Sequence, residues 1–252
     1  MHISQVLKSK LWAMYGSPQW PAEWDGQVFG GGKLSQRFWE YFKAVELLEL
    51  TPDAVVLDVG GGSPTSGAGF FATLLSSAVR RVVVLDPKIP GEKKAGTNTT
   101  YIREPANYAV MRQLLTAQPE ITHIASVSVF EHIEPSIREG IVRAINDTFQ
   151  GQIFVSTFEY HTRRKYFEHQ LTAKSVSTLF SPLTNYFLDE IVAAPVWCEN
   201  AFDQKRIARW GRNRPYTPSR FSPANIPLWY PIAVRFVRQP PAPRSGESQR
   251  AP

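Results

Sequence analysis

The chain has 252 residues, 28 Lys/Arg against 22 Asp/Glu, a net charge of +6 and a single cysteine, Cys198. One domain with additions fits that length, and its core needs no disulfides, because one cysteine excludes an intramolecular disulfide framework and most cysteine metal sites. No apolar run is long enough to span a bilayer and the opening MHISQVLKSKLW lacks a signal-peptide core, so a cytoplasmic, soluble protein is expected.

In chain order, residues 4–15 fit a short helix, and 16–33 are loop chemistry, with Gly16, Pro18, Pro21, Gly26 and Gly30–Gly32. Residues 34–50 place Phe38, Phe42, Val45 and Leu48 at helical spacing. Ala54–Leu57 is a short apolar run that reads as a buried strand, running straight into Asp58 and then Gly60, Gly61 and Gly62. Glycine has no Cβ, so a strand ending this way lets backbone approach a ligand closely. A helix to about Ser77 follows, with Ser63 or Thr65 as cap and Pro64 in its first turn.

This is a nucleotide-type cradle, and two details separate the candidate nucleotides. A dinucleotide fingerprint asks for a third glycine at position 65, where Thr65 stands. Asp58 repels a diphosphate and attracts a ligand carrying an ammonium or sulfonium group.

Residues 81–86, RVVVLD, form a second apolar strand closed by Asp86, at the spacing where an acid accepts from ribose hydroxyls. Thr99–Arg103 fits a third strand and Asn107–Gln118 a helix. Residues 121–133, ITHIASVSVFEHI, read as a fourth strand with Glu131, His132 and Ile133 just beyond it. Pro135–Phe149 reads as a helix, 151–157 (GQIFVST) as a fifth strand, and Tyr160–His169 and Thr172–Leu179 as helices. Asn185–Val192 and Leu228–Val237 complete the count as sixth and seventh strands, and the tail QPPAPRSGESQRAP reads as disordered.

Asp58, Gly60 and Gly62, the acid Asp86, the E-H-I at 131–133 and the strand at 151–157 together resemble the class I S-adenosylmethionine-dependent methyltransferases, with Pro64 in place of that family's usual third small residue. The resemblance implies an α/β, Rossmann-like, seven-stranded and mostly parallel sheet with helices on both faces and a last antiparallel strand. It implies S-adenosylmethionine as cofactor, held by Asp58, Gly60, Gly61, Gly62, Asp86, Pro87, Ser128, Val129 and Phe130. It divides the chain into an N-terminal cap at 1–50, a methyltransferase domain at 51–238 with an insertion at 193–227, and the tail at 239–252. The helix before the first strand often covers the cofactor in that family, which brings Lys33, Ser35 or Arg37 near the cofactor carboxylate. A solvated first turn capped by Ser35 explains each of those residues as well.

A methyltransferase aligns its acceptor with the methyl group, excludes water and removes a proton from a hydroxyl or amine acceptor. His132 is the candidate base, with helix packing as its plain alternative. Clustered carboxylates for a metal-assisted mechanism cannot be assembled from the sequence. From His161 onward fourteen Lys/Arg face six Asp/Glu, and Lys205, Arg206, Arg209, Arg212, Arg214 and Arg220 stand close together. In an insertion overhanging the site, Arg209, Arg212 and Arg214 are candidates to grip an anionic small-molecule or glycan acceptor, against a plain basic surface. No N-P-P-Y-type tetrapeptide follows the fourth strand, which weighs against nucleic acid. An NAD(P)-binding oxidoreductase and a non-catalytic protein of the same fold are the alternatives.

Overall fold

The computed structural model describes residues 3–15, 17, 20, 28–29, 34–62, 69–89, 98–161, 171–193 and 229–240. Two N-terminal helices, α1 (Ile3–Met14) and α2 (Gln36–Leu47), enclose a two-stranded ribbon of β1 (Val28–Phe29) and β2 (Leu34–Ser35). The main sheet then alternates with helices: β3 (Val55–Val59), α3 (Phe70–Ser76), β4 (Arg81–Leu85), β5 (Thr99–Ile102), α4 (Tyr108–Ala117) and β6 (His123–Val127). A single 3-10 turn, Phe130–His132, leads to α5 (Pro135–Thr148), β7 (Ile153–His161), α6 (Ala173–Phe180), β8 (Tyr186–Ala193) and β9 (Trp229–Arg238).

The sheet order is β5-β4-β3-β6-β7-β9-β8. The first five strands in that order run parallel, and β9 lies antiparallel between β7 and β8. Strands buried on both faces read as continuous apolar runs, and every residue of β3 and β6 is buried. Alternate side chains feed two cores. Val56, Val82, Val84, Ala125 and Val155 pack under α1, α2 and α3, while Val55, Leu57, Val83, Ile124 and Phe154 pack under α4, α5 and α6.

Local chemistry fixes the helix starts. The Asn107 side chain accepts from Val110 N–H at 3.0 Å ahead of α4, Pro135 occupies the first turn of α5, and Thr172 and Ser175 form a reciprocal capping box on α6.

Two sequence expectations need correction. The helix expected over 160–169 gives way at its start to strand: β7 continues through Tyr160 to His161, because Glu159, Tyr160 and His161 pair with Pro231, Tyr230 and Trp229 of β9. Residues 162–170 lie outside the described residues. The helix after β3 begins at Phe70, and the candidate caps Ser63 and Thr65 and the first-turn Pro64 lie outside the described residues too.

Candidate functional site

In a doubly wound sheet the crevice beyond the carboxyl ends of the strands, where strand order reverses, is the ligand site. The reversal here falls between β3 and β6, with β4 next to β3. A cavity of about 660 Å³ opens at that place, within the range of small-molecule pockets.

The β3 end forms its floor. Asp58 is buried, and its Oδ2 has no hydrogen-bond partner among the described residues. Burial, reinforced by the nearby Asp86 charge, pushes its pKa up to about 7. Gly60 turns with φ +77° and donates its N–H to Leu85 O at 2.8 Å, tying the loop to β4. A Cβ on Gly61 would fall 2.0 Å from Asp58 Oδ2, so the carboxylate lies directly against the glycine backbone. The three glycines hold the loop tight around an acid whose Oδ2 no described residue engages.

Asp86 follows β4. Its Oδ2 accepts from Gly62 N–H at 3.1 Å and its Oδ1 from Lys88 N–H at 2.6 Å, which fixes the carboxylate at the cavity wall. The Gly62 N–H is therefore spent on Asp86 and is not aimed at a phosphate. With Asp58 and Asp86 both lining the cavity, a diphosphate meets two acids where a dinucleotide fold offers backbone donors.

The β6 end closes the cavity. Ser128 has φ +55°, in the left-handed region that only glycine enters freely. Its N–H donates to Thr157 O at 2.9 Å and to Thr157 Oγ1 at 3.1 Å, and its Oγ donates to Glu131 Oε1 at 2.6 Å. Val129 and His132 line the cavity, and His132 stands exposed at its rim. Partial desolvation lowers the His132 pKa, with Arg37 and Lys88 lowering it further and Glu159 opposing them. The shift favours the neutral ring, the form that accepts a proton.

Of the residues singled out from sequence, Asp58, Gly60, Gly61, Gly62, Asp86, Pro87, Ser128, Val129 and His132 meet at this one cavity. Phe130 does not line it. Its side chain is fully buried on the α5–α6 side, with ring centroids 6.3 Å from both Phe154 and Phe180, because the 3-10 turn rotates it into that core. Lys33, Arg209, Arg212 and Arg214 lie outside the described residues.

From α2 come Arg37 and Tyr41. Arg37 was one of three candidates there, and it lines the cavity with Nη1 3.1 Å from Glu40 Oε2. Tyr41 carried no sequence signal beyond its place on the helix. It stacks on Phe71 at 5.2 Å and on Phe70 at 5.3 Å, forming an aromatic wall. Lys88 and Pro105 reach the cavity from connections whose course the sequence pattern leaves open, and Ile137 from the first turn of α5. Among the described residues no group of three or more His, Cys, Asp or Glu is placed to hold a metal ion. None of the described helices is long and apolar enough to cross a membrane.

No family model matches the chain, and no curated protein matches its sequence. Solved structures do match. Magnesium protoporphyrin IX methyltransferase from Synechocystis PCC 6803, with bound S-adenosylmethionine, superposes with a TM-score of 0.51 at 13% identity, covering 95% of this chain and 98% of that one. Geranyl diphosphate C-methyltransferase from Streptomyces coelicolor A3(2), in complex with Mg2+, geranyl diphosphate and S-adenosyl-L-homocysteine, gives a TM-score of 0.53 at 9% identity, covering 95% and 98%. The chain has the fold of the class I S-adenosylmethionine-dependent methyltransferases.

Proposed function

We propose that the chain is an S-adenosylmethionine-dependent methyltransferase acting on a small-molecule or glycan acceptor. One observation carries the reading: a buried carboxylate, Asp58, with an oxygen that no described residue engages, sits against a glycine turn beside a second acid, Asp86. A cationic nucleoside answers that arrangement. Asp58 would hold its ammonium, the Gly60–Gly62 backbone its amino-acid portion, and Asp86, whose oxygens keep lone pairs beyond those used by Gly62 and Lys88, its ribose hydroxyls. Arg37 supplies a cation for the carboxylate end, and the wall of Tyr41 and Phe71 is apolar surface for the remainder.

Bound S-adenosylmethionine supplies an electrophilic methyl group. The protein's own part is to orient the acceptor, keep water out and remove a proton. His132, at the rim and shifted towards its neutral form, is the group we assign to take that proton from a hydroxyl or amine. An anionic acceptor remains our reading of Arg209, Arg212 and Arg214, and it rests on the sequence alone. The two superposed methyltransferases act on a porphyrin and on a prenyl diphosphate, so the fold leaves the acceptor open.

An NAD(P) oxidoreductase is the competing reading, and the paired acids and the occupied Gly62 N–H oppose it. Isothermal titration of the same preparation with S-adenosylmethionine and with NAD decides between them. We expect binding of the first alone, weakened about 10- to 150-fold by Asp86→Ala with the fold intact, since a hydrogen bond to a charged acceptor is worth roughly 1.5–3 kcal/mol. Unchanged affinity in that variant removes Asp86 from the site. S-adenosylhomocysteine release with a candidate acceptor separates an enzyme from a non-catalytic binding protein.

A further inference from the structure

We infer that Ser128 and Glu131 form a positioning pair that sets the cofactor wall contributed by the β6 end. The inference rests on the cofactor reading above and goes beyond it, because Glu131 does not line the cavity and acts on it through its neighbour.

Three observations converge on the pair. Ser128 is one of only two described non-glycine residues with positive φ, and it stands at the cavity. Such strain persists only where the surroundings over-determine the conformation. Here they do: the Ser128 N–H is held twice by Thr157 and its hydroxyl by Glu131 at 2.6 Å, all three bonds buried or part of a buried turn.

The strain has a geometric consequence at the next residue. A Cβ on Gly60 would fall 2.5 Å from both Val129 Cγ1 and Val129 Cγ2, so Val129 occupies the space that glycine leaves. The β3 loop and the β6 turn thus interlock, and moving one moves the other. The turn is completed by His132 N–H to Val129 O at 2.9 Å and by Arg138 Nη1 to Phe130 O at 3.1 Å, which anchors it to α5. The position of Val129 and His132 at the cavity therefore follows from the backbone angle at Ser128.

Glu131 is an expensive way to hold that angle if stability alone were served. Its carboxyl is buried, and Oε2 has no partner among the described residues. An apolar residue there would fill the core without an uncompensated oxygen. The carboxyl offers what an apolar side chain lacks, an acceptor for the Ser128 hydroxyl.

The test is titration of S-adenosylmethionine into wild type, Ser128→Gly, Glu131→Ala, Glu131→Gln and the Ser128→Gly/Glu131→Ala double variant, with a thermal melt of each. Glycine relieves the strain at φ +55°, so Ser128→Gly should melt no lower than wild type while binding the cofactor about ten-fold more weakly, roughly the loss of one hydrogen bond. Glu131→Ala should weaken binding similarly, and the double variant should be no worse than Ser128→Gly, since both remove one interaction. Glu131→Gln keeps an acceptor oxygen and should bind within about two-fold of wild type.

Affinity losses that track the melting temperature across the series overturn the inference, as do additive losses or an unaltered affinity in Ser128→Gly. Should Glu131→Ala fail to fold, Ser128→Gly against Glu131→Gln still decides it. If wild type itself binds no S-adenosylmethionine, the cofactor reading falls and the inference with it. If wild type binds and the variants bind equally well, the pair alone loses its role.

Discussion

The carboxyl ends of β3 and β6 and the outer edge at β8–β9 both collect acidic side chains, and they treat them in opposite ways. At the edge, Arg235 bridges Glu49, with Nη1 to Oε1 at 2.6 Å, and Asp189, with Nε to Oδ2 at 2.6 Å. These acids are water-accessible and still paired. At the strand ends Asp58 and Glu131 are buried, and each keeps one oxygen without a partner among the described residues. A folding chain that pairs its acids where solvation is cheap and leaves carboxyl oxygens unsatisfied where burial is costly is storing free energy at the second place. We read the edge as structure and the Asp58 end of β3 as a site for a cation.

The sharpest way to break this contrast is to disturb the backbone on which the site is built. Gly60→Ala must hold a Cβ at φ +77° and drive it into Val129, whose methyl carbons stand 2.5 Å away. We expect a loss of about 2–4 kcal/mol, from left-handed strain plus overpacking, measured by urea unfolding. Adding Val129→Ala should return the overpacking part and leave the strain. If the double variant recovers nothing, the interlock of the two loops is not the reason for the glycine.

Much of this site was legible in the sequence, and the exceptions have physical causes. The acid–glycine pattern at 58–62 and the acid at 86 could be read because buried parallel strands are continuous apolar runs, so their ends are visible. Phe130 was misplaced because adjacency along the chain does not fix direction: a 3-10 turn sends Phe130 into the core and leaves His132 at the rim. Tyr160 and His161 suggested helix, since their neighbourhood carries no alternation, but pairing with β9 along the full length of β7 overrides local propensity. Tyr41 sits on a face of α2 that the helical period marks as buried, yet the period says nothing of the cavity behind it. Lys88 and Pro105 arrive through connections, where no periodicity operates.

The contrast also has a pH signature. Asp58 is raised from 3.8 to about 7 and Glu131 from 4.5 to about 8, both chiefly by burial. A raised carboxyl pKa contributes stability that is full below the unfolded value and is lost as pH rises through the folded one. His123 works the other way: burial lowers it from 6.5 to about 4, so its contribution is full above 6.5 and is lost as pH falls towards 4. Between pH 4.5 and 6.5 the two carboxyls lose stability as pH rises while the one histidine gains it. The ligand-free protein should therefore weaken as pH rises from about 4.5 towards 8, more steeply above 6.5, where His123 no longer offsets them. Asp58→Asn should flatten the alkaline side, gaining on the order of 2 kcal/mol at pH 8 while binding S-adenosylmethionine less well. In wild type, binding near pH 6.5 should release protons as the cation restores the ionised Asp58. Titrations in buffers of different ionisation enthalpy read that release directly, and a binding heat independent of buffer would contradict the role given to Asp58.

The smallest effect is expected at the edge, and it tests whether the two regions differ at all. Arg235→Gln removes the cation that Glu49 and Asp189 share. Glu49 is 61% exposed at its side chain and Asp189 28%, so water takes over much of their solvation when the guanidinium is gone. Pairs of that kind are worth about 0–1 kcal/mol, and a network of two lies near the top of that range. We expect Arg235→Gln to cost about 1 kcal/mol in urea unfolding, to shrink further in high salt, and to leave S-adenosylmethionine affinity unaltered. The edge lies at the far side of β9 and β7 from the cavity, with strand pairing rather than a two-state element between them. A loss of several kcal/mol would mean that the paired acids are as tightly built into the fold as the orphaned ones. A change in cofactor affinity would mean that the two regions are coupled. Either result would end the reading of one as structure and the other as site.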